Sequence, residues 1–156
     1  MKTSTKKGLS FGLTSGIITT LGLIVGLEAG THSKGVVLGG IIVIAVADGL
    51  SDSLGIHISE ESGGNRKTRE VWESTAATFF SKMFFALTFA VPILLLQLRT
   101  AIIASVAWGL ALIALFSYSL TKKTEISRLK AVLEHIAIAV LVIISTHWIG
   151  QWIGSI

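Results

Sequence analysis

The sequence predicts an all-α integral membrane fold with five transmembrane helices, on three observations. Five apolar stretches, at about 8–30, 35–58, 76–98, 100–120 and 131–154, each supply the roughly 20 helical residues that cross a bilayer. Only 14% of the 156 residues are charged, and the mean hydropathy is +0.76, whereas a soluble domain of this size needs a larger charged surface. The stretches are apolar throughout and lack the alternation that a closed barrel, the other spanning solution, requires. A single transmembrane domain then covers 1–156.

The first stretch follows Lys2, Lys6 and Lys7 and superficially resembles a secretory signal. Gly8 to Leu27 is long enough to span, and more spans follow, so it reads as a retained helix. Its Gly12, Ser15, Gly16, Thr19, Gly22, Gly26 and Gly30 share an arc of roughly 120° at about 100° per residue. Such a stripe admits another backbone at close range, which makes Gly12, Gly16, Gly22 and Gly26 packing residues. Ser15 and Thr19, on the same arc, are candidates to line a path.

The second stretch carries the chemistry. Asp48 and Asp52 stand four residues apart on one face of an apolar helix, with Ser51, Gly55 and Ser59 in the same arc. A carboxylate in the membrane costs several kcal/mol, of order ~3 on insertion scales, so an ion path is the first hypothesis for it. Two on one face repel each other unless a cation or proton lies between them. Hard oxygen ligands suit Mn²⁺, Fe²⁺, Mg²⁺ or Ca²⁺ better than Cu⁺. The plainer alternative is a structural pair, capped or salt-bridged to Lys82 or Arg99. His57 points almost opposite to Asp48 and is a weaker candidate for the path. Glu60 and Glu61, expected in the following loop with Glu70 and Glu73, would gather cations at a mouth or simply be solvated.

In the third stretch Lys82 is expected to snorkel to the surface along its methylene stem, and Pro92 to kink the helix. In the fifth, Glu134, His135 and His147 read as interfacial packing, with a proton relay as the alternative. Trp148 and Trp152 fit an interfacial belt near the outer end.

Charge placement orients the chain. The tail with Lys2, Lys6 and Lys7, the loop with Arg66, Lys67 and Arg69, and the loop with Lys122, Lys123, Arg128 and Lys130 fall on one side. The other side has only Lys34 and Arg99, so the amino terminus is expected in the cytoplasm and the carboxyl terminus outside. This distribution also accounts for the net charge of +4 without a nucleic-acid partner. With no Cys, disulfides, thiolate metal sites and cysteine nucleophiles are excluded. There is no Walker loop, Rossmann fingerprint or HExxH, and a serine hydrolase needs a strand-to-helix elbow that a run of apolar helices does not supply. The expectation is a protein that is not an enzyme and holds no permanently bound cofactor.

The segment Gly12-Leu-Thr-Ser-Gly-Ile-Ile-Thr-Thr-Leu-Gly-Leu-Ile-Val-Gly26 resembles the first helix of the vacuolar iron transporter family, relatives of plant and yeast vacuolar iron and manganese carriers. Leu50-Ser51 through Gly55 to Ile58-Ser59 resembles the family's second helix. Thr78-Phe-Phe-Ser-Lys-Met-Phe-Phe-Ala-Leu-Thr-Phe-Ala-Val-Pro92 resembles the third, and Arg128-Leu-Lys to Ile149-Gly150 the fifth. The resemblance covers nearly the whole chain, as a short form without the family's cytoplasmic metal-binding domain. It implies a homodimer that exchanges Fe²⁺ or Mn²⁺ for protons between its two first helices, with Gly12, Gly16, Gly22 and Gly26 packing at the dimer seam. The family's first-helix aspartate stands here as Ser15, and its second-helix methionine and following glutamate align with Asp52 and Ile56.

The two lines of reading converge on a divalent transition-metal carrier, a proton-coupled antiporter, in a prokaryotic cytoplasmic membrane. Asp48, Asp52, Glu60 and Glu61 are the candidate metal-binding residues, and Ser15, Thr19, Ser51 and His57 the candidate path. The alternative is a non-transporting membrane scaffold or accessory subunit.

Overall fold

The computed structural model describes residues 3–64, 67–121 and 127–156. They form α1 (Thr3–Thr31), α2 (Lys34–Ser62), α3 (Thr68–Thr88), α4 (Ala90–Leu95), α5 (Leu98–Leu120) and α6 (Arg128–Gly154), with no strand among the described residues. Five spans, with α3 and α4 counted as one, are long and apolar enough to cross a membrane. Lys2, Arg66, Lys122 and Lys123 of the expected basic clusters lie outside the described residues.

A two-residue turn reverses the chain between α1 and α2. His32 takes a left-handed φ of 48° and its amide donates to the Glu28 carbonyl, closing α1. Ser33 then caps α2, its hydroxyl accepting from the Val36 amide. So short a link makes α1 and α2 antiparallel neighbours. The expected kink is a break: α3 ends at Thr88, Phe89 turns, and α4 begins at Ala90. Pro92 has no N–H to offer the Thr88 carbonyl, so the ladder is interrupted one turn before it. The carbonyls of Leu94 and Leu96, at the end of α4, instead accept from Lys34 Nζ at 3.1 and 3.0 Å.

The helix that enters first sits in the middle: α1 touches α2, α3, α5 and α6. Its Leu13, Ile17, Leu21, Ile24 and Val25 form the core with Val37 and Ile41 of α2, Phe89, Ile93 of α4, and Ala101, Leu112 and Ile113 of α5. Every span is apolar all round, so hydrophobicity does not distinguish inside from outside; size and polarity do. Ser74, Thr78 and Ser105 are buried, whereas Val43, Ile103, Leu141, Trp148 and Trp152 face outward.

The glycine stripe divides along its length. A Cβ on Gly12 would lie 2.4 Å from the Thr78 carbonyl oxygen, and one on Gly16 would lie 2.9 Å from that of Lys82, so the first half of α1 presses on α3. Gly22, Gly26 and Gly30 meet Val142, Thr146 and Gly150 of α6. Gly12, Gly16, Gly22 and Gly26 are therefore packing residues within the chain. Gly12 and Gly16 are closed off by α3, whereas Gly22 and Gly26 meet α6 on one side and border a groove on the other.

Candidate functional site

Helix α2 lies on its neighbours through Val37, Ile41, Ala45, Gly49, Ser53, Ile56 and Glu60. Asp48 and Asp52 each precede a member of this stripe by one residue, which places both on one flank of it. Both reach the same cation. Lys82 of α3 is 1% exposed, and its Nζ lies 2.6 Å from Asp48 Oδ2 in an ion pair that is off line for a hydrogen bond. It donates to Asp52 Oδ2 and, at 2.9 Å, to Ser15 Oγ of α1. Ser15 Oγ in turn donates to Asp52 Oδ2 at 2.7 Å. Two of the three ammonium contacts are hydrogen bonds, to Asp52 and Ser15, the third is the ion pair with Asp48, and the Ser15 hydroxyl closes the ring.

Each partner is positioned by local sequence. Gly16, next to Ser15, leaves room for Lys82, since a Cβ there would lie 3.1 Å from both Lys82 Cα and Cγ. The i, i+4 spacing of the aspartates stacks them on one flank. The two aspartates against one lysine leave a formal charge of −1. Their side chains keep 28% and 22% exposure, whereas Lys82 has essentially none. An unpaired buried ammonium would cost several kcal/mol, of order ~5, and the carboxylates offset that cost. The salt-bridged alternative weighed for Asp48 and Asp52 is met at Lys82. The expectation that Lys82 snorkels to the surface is corrected, because its stem turns inward to the aspartates.

The other expected residues separate. Thr19 Oγ1 donates to the Ser15 carbonyl at 2.9 Å, one turn from the cluster. Ser51 is exposed on a part of α2 that no helix of this chain covers. His57 lies against α3, its Nδ1 2.9 Å from Thr75 Oγ1 and its ring edge-on to Trp72. The Thr75 hydroxyl also donates to the Val71 carbonyl, and the contact with Thr75 makes His57 a clamp between α2 and α3. Glu61, 60% exposed, stands 3.3 Å from His57 Nε2. Glu60 is not at an open mouth: its side chain is 1% exposed and ion-paired with Lys7 of α1. His135 lies with Nδ1 2.7 Å from the buried Ser117 Oγ of α5.

Among the described residues there is no group of three or more His, Asp or Glu side chains that could hold a metal ion. One chain thus offers two carboxylates and one hydroxyl at the cluster. Gly8-Leu-Ser10-Phe-Gly12 has the G-x-S-x-G spacing of a nucleophile elbow, but it lies inside α1, with no strand or sharp turn to strain Ser10. No family model matches the chain, and no characterised protein matches it.

Proposed function

We propose that the chain is a five-span membrane carrier that moves a divalent transition-metal ion, Fe²⁺ or Mn²⁺, in exchange for protons. The supporting observation is the charged cluster. Two carboxylates and a hydroxyl converge on one cation inside helices apolar enough for hydrocarbon, and such groups are retained in membranes where ions pass. Lys82 holds the place of the cargo as a tethered ammonium. Loading requires it to swing aside, which couples cation entry to a movement of α3 against α2.

A homodimer completes this reading. Asp48 and Asp52 stay partly exposed beside an uncovered surface of α2 that includes Ser51 and Gly55. A second copy on that surface shields them from lipid and brings four carboxylates together. Two clusters then carry two net negative charges, which one divalent ion neutralises. Ser51 and Thr19 add oxygen atoms near the path, and Glu61 remains available at its end. The amino terminus is placed in the cytoplasm and the carboxyl terminus outside by the positive-inside rule, in a prokaryotic cytoplasmic membrane.

The second reading is a membrane scaffold or accessory subunit. The closed ring of bonds around Lys82 favours it, because the aspartates there are already neutralised in part. Flux in proteoliposomes separates the two, using Mn²⁺, Fe²⁺, Mg²⁺ and Ca²⁺ outside and a pH probe inside. The carrier gives Mn²⁺ or Fe²⁺ uptake with opposite proton movement, and Asp52→Asn abolishes it while the oligomer keeps its size. Absent flux, together with no Mn²⁺ binding in detergent, leaves the scaffold.

A further inference from the structure

An apolar groove of about 570 Å³ runs along α1 between α2 and α6. Thr19, Gly22 and Gly26 form its floor, Ile44 one wall, and Thr146 and Gly150 the other. From Thr19 to Gly30 it extends about 16 Å at ~1.5 Å per residue. Its lining stops one helical turn short of the charged cluster. Thr19 is one turn from Ser15, and Ile44 is one turn from Asp48 on the same face of α2. We propose that groove and cluster form one binding site, and that its ligand is a lipophilic monovalent cation: a single positive charge on a hydrocarbon body. The proposal rests on the reading of Asp48 and Asp52 as cation-binding groups, and departs from it in the class of cation.

Charge selects the head. Asp48, Asp52 and Lys82 together leave one net negative charge per chain, which a monovalent cation neutralises without displacing Lys82. A divalent ion on a single chain would leave an excess positive charge in the apolar interior. The groove selects the body. Its three threonines give their hydroxyls to their own helices: Thr19 to the Ser15 carbonyl, Thr31 to Leu27, and Thr146 to Val142. What they show the groove is therefore mostly methyl. A hydrated inorganic ion passing along the groove would find little to replace its water before it reached the carboxylates, whereas a cation wrapped in hydrocarbon has little water to lose. The volume falls within the usual range of small-molecule sites, roughly 300–1,000 Å³.

The test is equilibrium binding of tritiated tetraphenylphosphonium to the full chain in lipid nanodiscs, with empty nanodiscs subtracted. The expected result is saturable binding that decylammonium displaces and decanol does not. Asp48→Asn and, separately, Ile44→Trp, which fills the groove and keeps every charge of the cluster, should each weaken it tenfold or more. Ile103→Trp, on the outward face of α5, should leave it unchanged. No saturable binding to the wild type, equal displacement by decanol, or binding indifferent to Ile44→Trp would overturn the proposal. The wild-type competition needs no variant to fold. Mn²⁺ flux measured in parallel keeps the two readings apart. Mn²⁺ flux without phosphonium binding sinks this proposal alone, and phosphonium binding without Mn²⁺ flux sinks the metal reading alone.

Discussion

The two halves of α1 bring the same kind of residue to different ends. Around Gly12 and Gly16 the small residues admit α3 so closely that its backbone touches the stripe, and the side chains at that contact are Ser81, Thr78 and Lys82. Around Gly22 and Gly26 the neighbour is α6, through Val142 and Thr146, and a groove stays open beside the contact. Both contacts are close, since a Cβ on Gly150 of α6 would lie 2.2 Å from the Gly26 carbonyl oxygen, but the first half is polar and the second apolar. A glycine stripe thus sets how near a neighbour comes, while the facing helix decides whether the contact holds charge or hydrocarbon.

The largest effect that separates the halves comes from the charge. Lys82→Met leaves Asp48 and Asp52 facing each other with no cation, and should destabilise the fold by about 3–5 kcal/mol, as removal of one partner from a buried ion pair does. Adding Asp48→Asn and Asp52→Asn to that variant should recover most of the loss, because the uncompensated charge is gone. Reversible unfolding in mixed micelles with rising SDS measures both. If Lys82→Met is as stable as the wild type, the cluster lies in a watery environment and the polar half loses its distinguishing property.

Next comes the seam itself. Gly12→Ala places a methyl carbon 2.4 Å from the Thr78 carbonyl oxygen and 3.0 Å from Thr78 Cα, and backbone cannot rotate away as a side chain can. The helices must separate, at a cost of about 1–3 kcal/mol, the usual range for overpacking. Gly39→Ala, with nothing within 4 Å of the added carbon, is the reference. Unfolding in the same mixed micelles should rank Gly12→Ala well below Gly39→Ala. Equal stabilities would mean that α1 and α3 are not in close contact.

Spans were legible from hydropathy, and the pairing of Asp48 with Asp52 on one flank from a four-residue spacing. Depth was harder to read. Counting the third span from residue 76 puts Lys82 six residues in, about 9 Å, where snorkelling is natural. The helix starts at Thr68, so Lys82 lies 14 residues in, about 21 Å, beyond easy reach of that end. Glu60 follows the same logic. A second span ending at 58 leaves it in a loop, but α2 runs to Ser62 and α1 begins at Thr3, which brings Glu60 and Lys7 together. Hydropathy stops at the first charges, whereas a helix continues through them when a neighbour supplies the opposite sign. Which helices are neighbours is a tertiary fact, and no local pattern encodes it.

The smallest effect tests the apolar half. At Gly26 an added methyl carbon would stand 3.2 Å from the Thr146 carbonyl oxygen and 3.5 Å from Thr146 Cβ, close enough that α6 must yield by a few tenths of an ångström. That cost opposes the gain from replacing glycine inside a helix, roughly 0.5–1 kcal/mol. The two nearly cancel, so Gly26→Ala should sit within about 1 kcal/mol of the wild type in mixed-micelle unfolding, between the seam variant and the Gly39 reference. A loss as large as that of Gly12→Ala would mean that α6 is held as rigidly as α3. The groove beside Gly26 would then have no slack with which to admit a bulky cation.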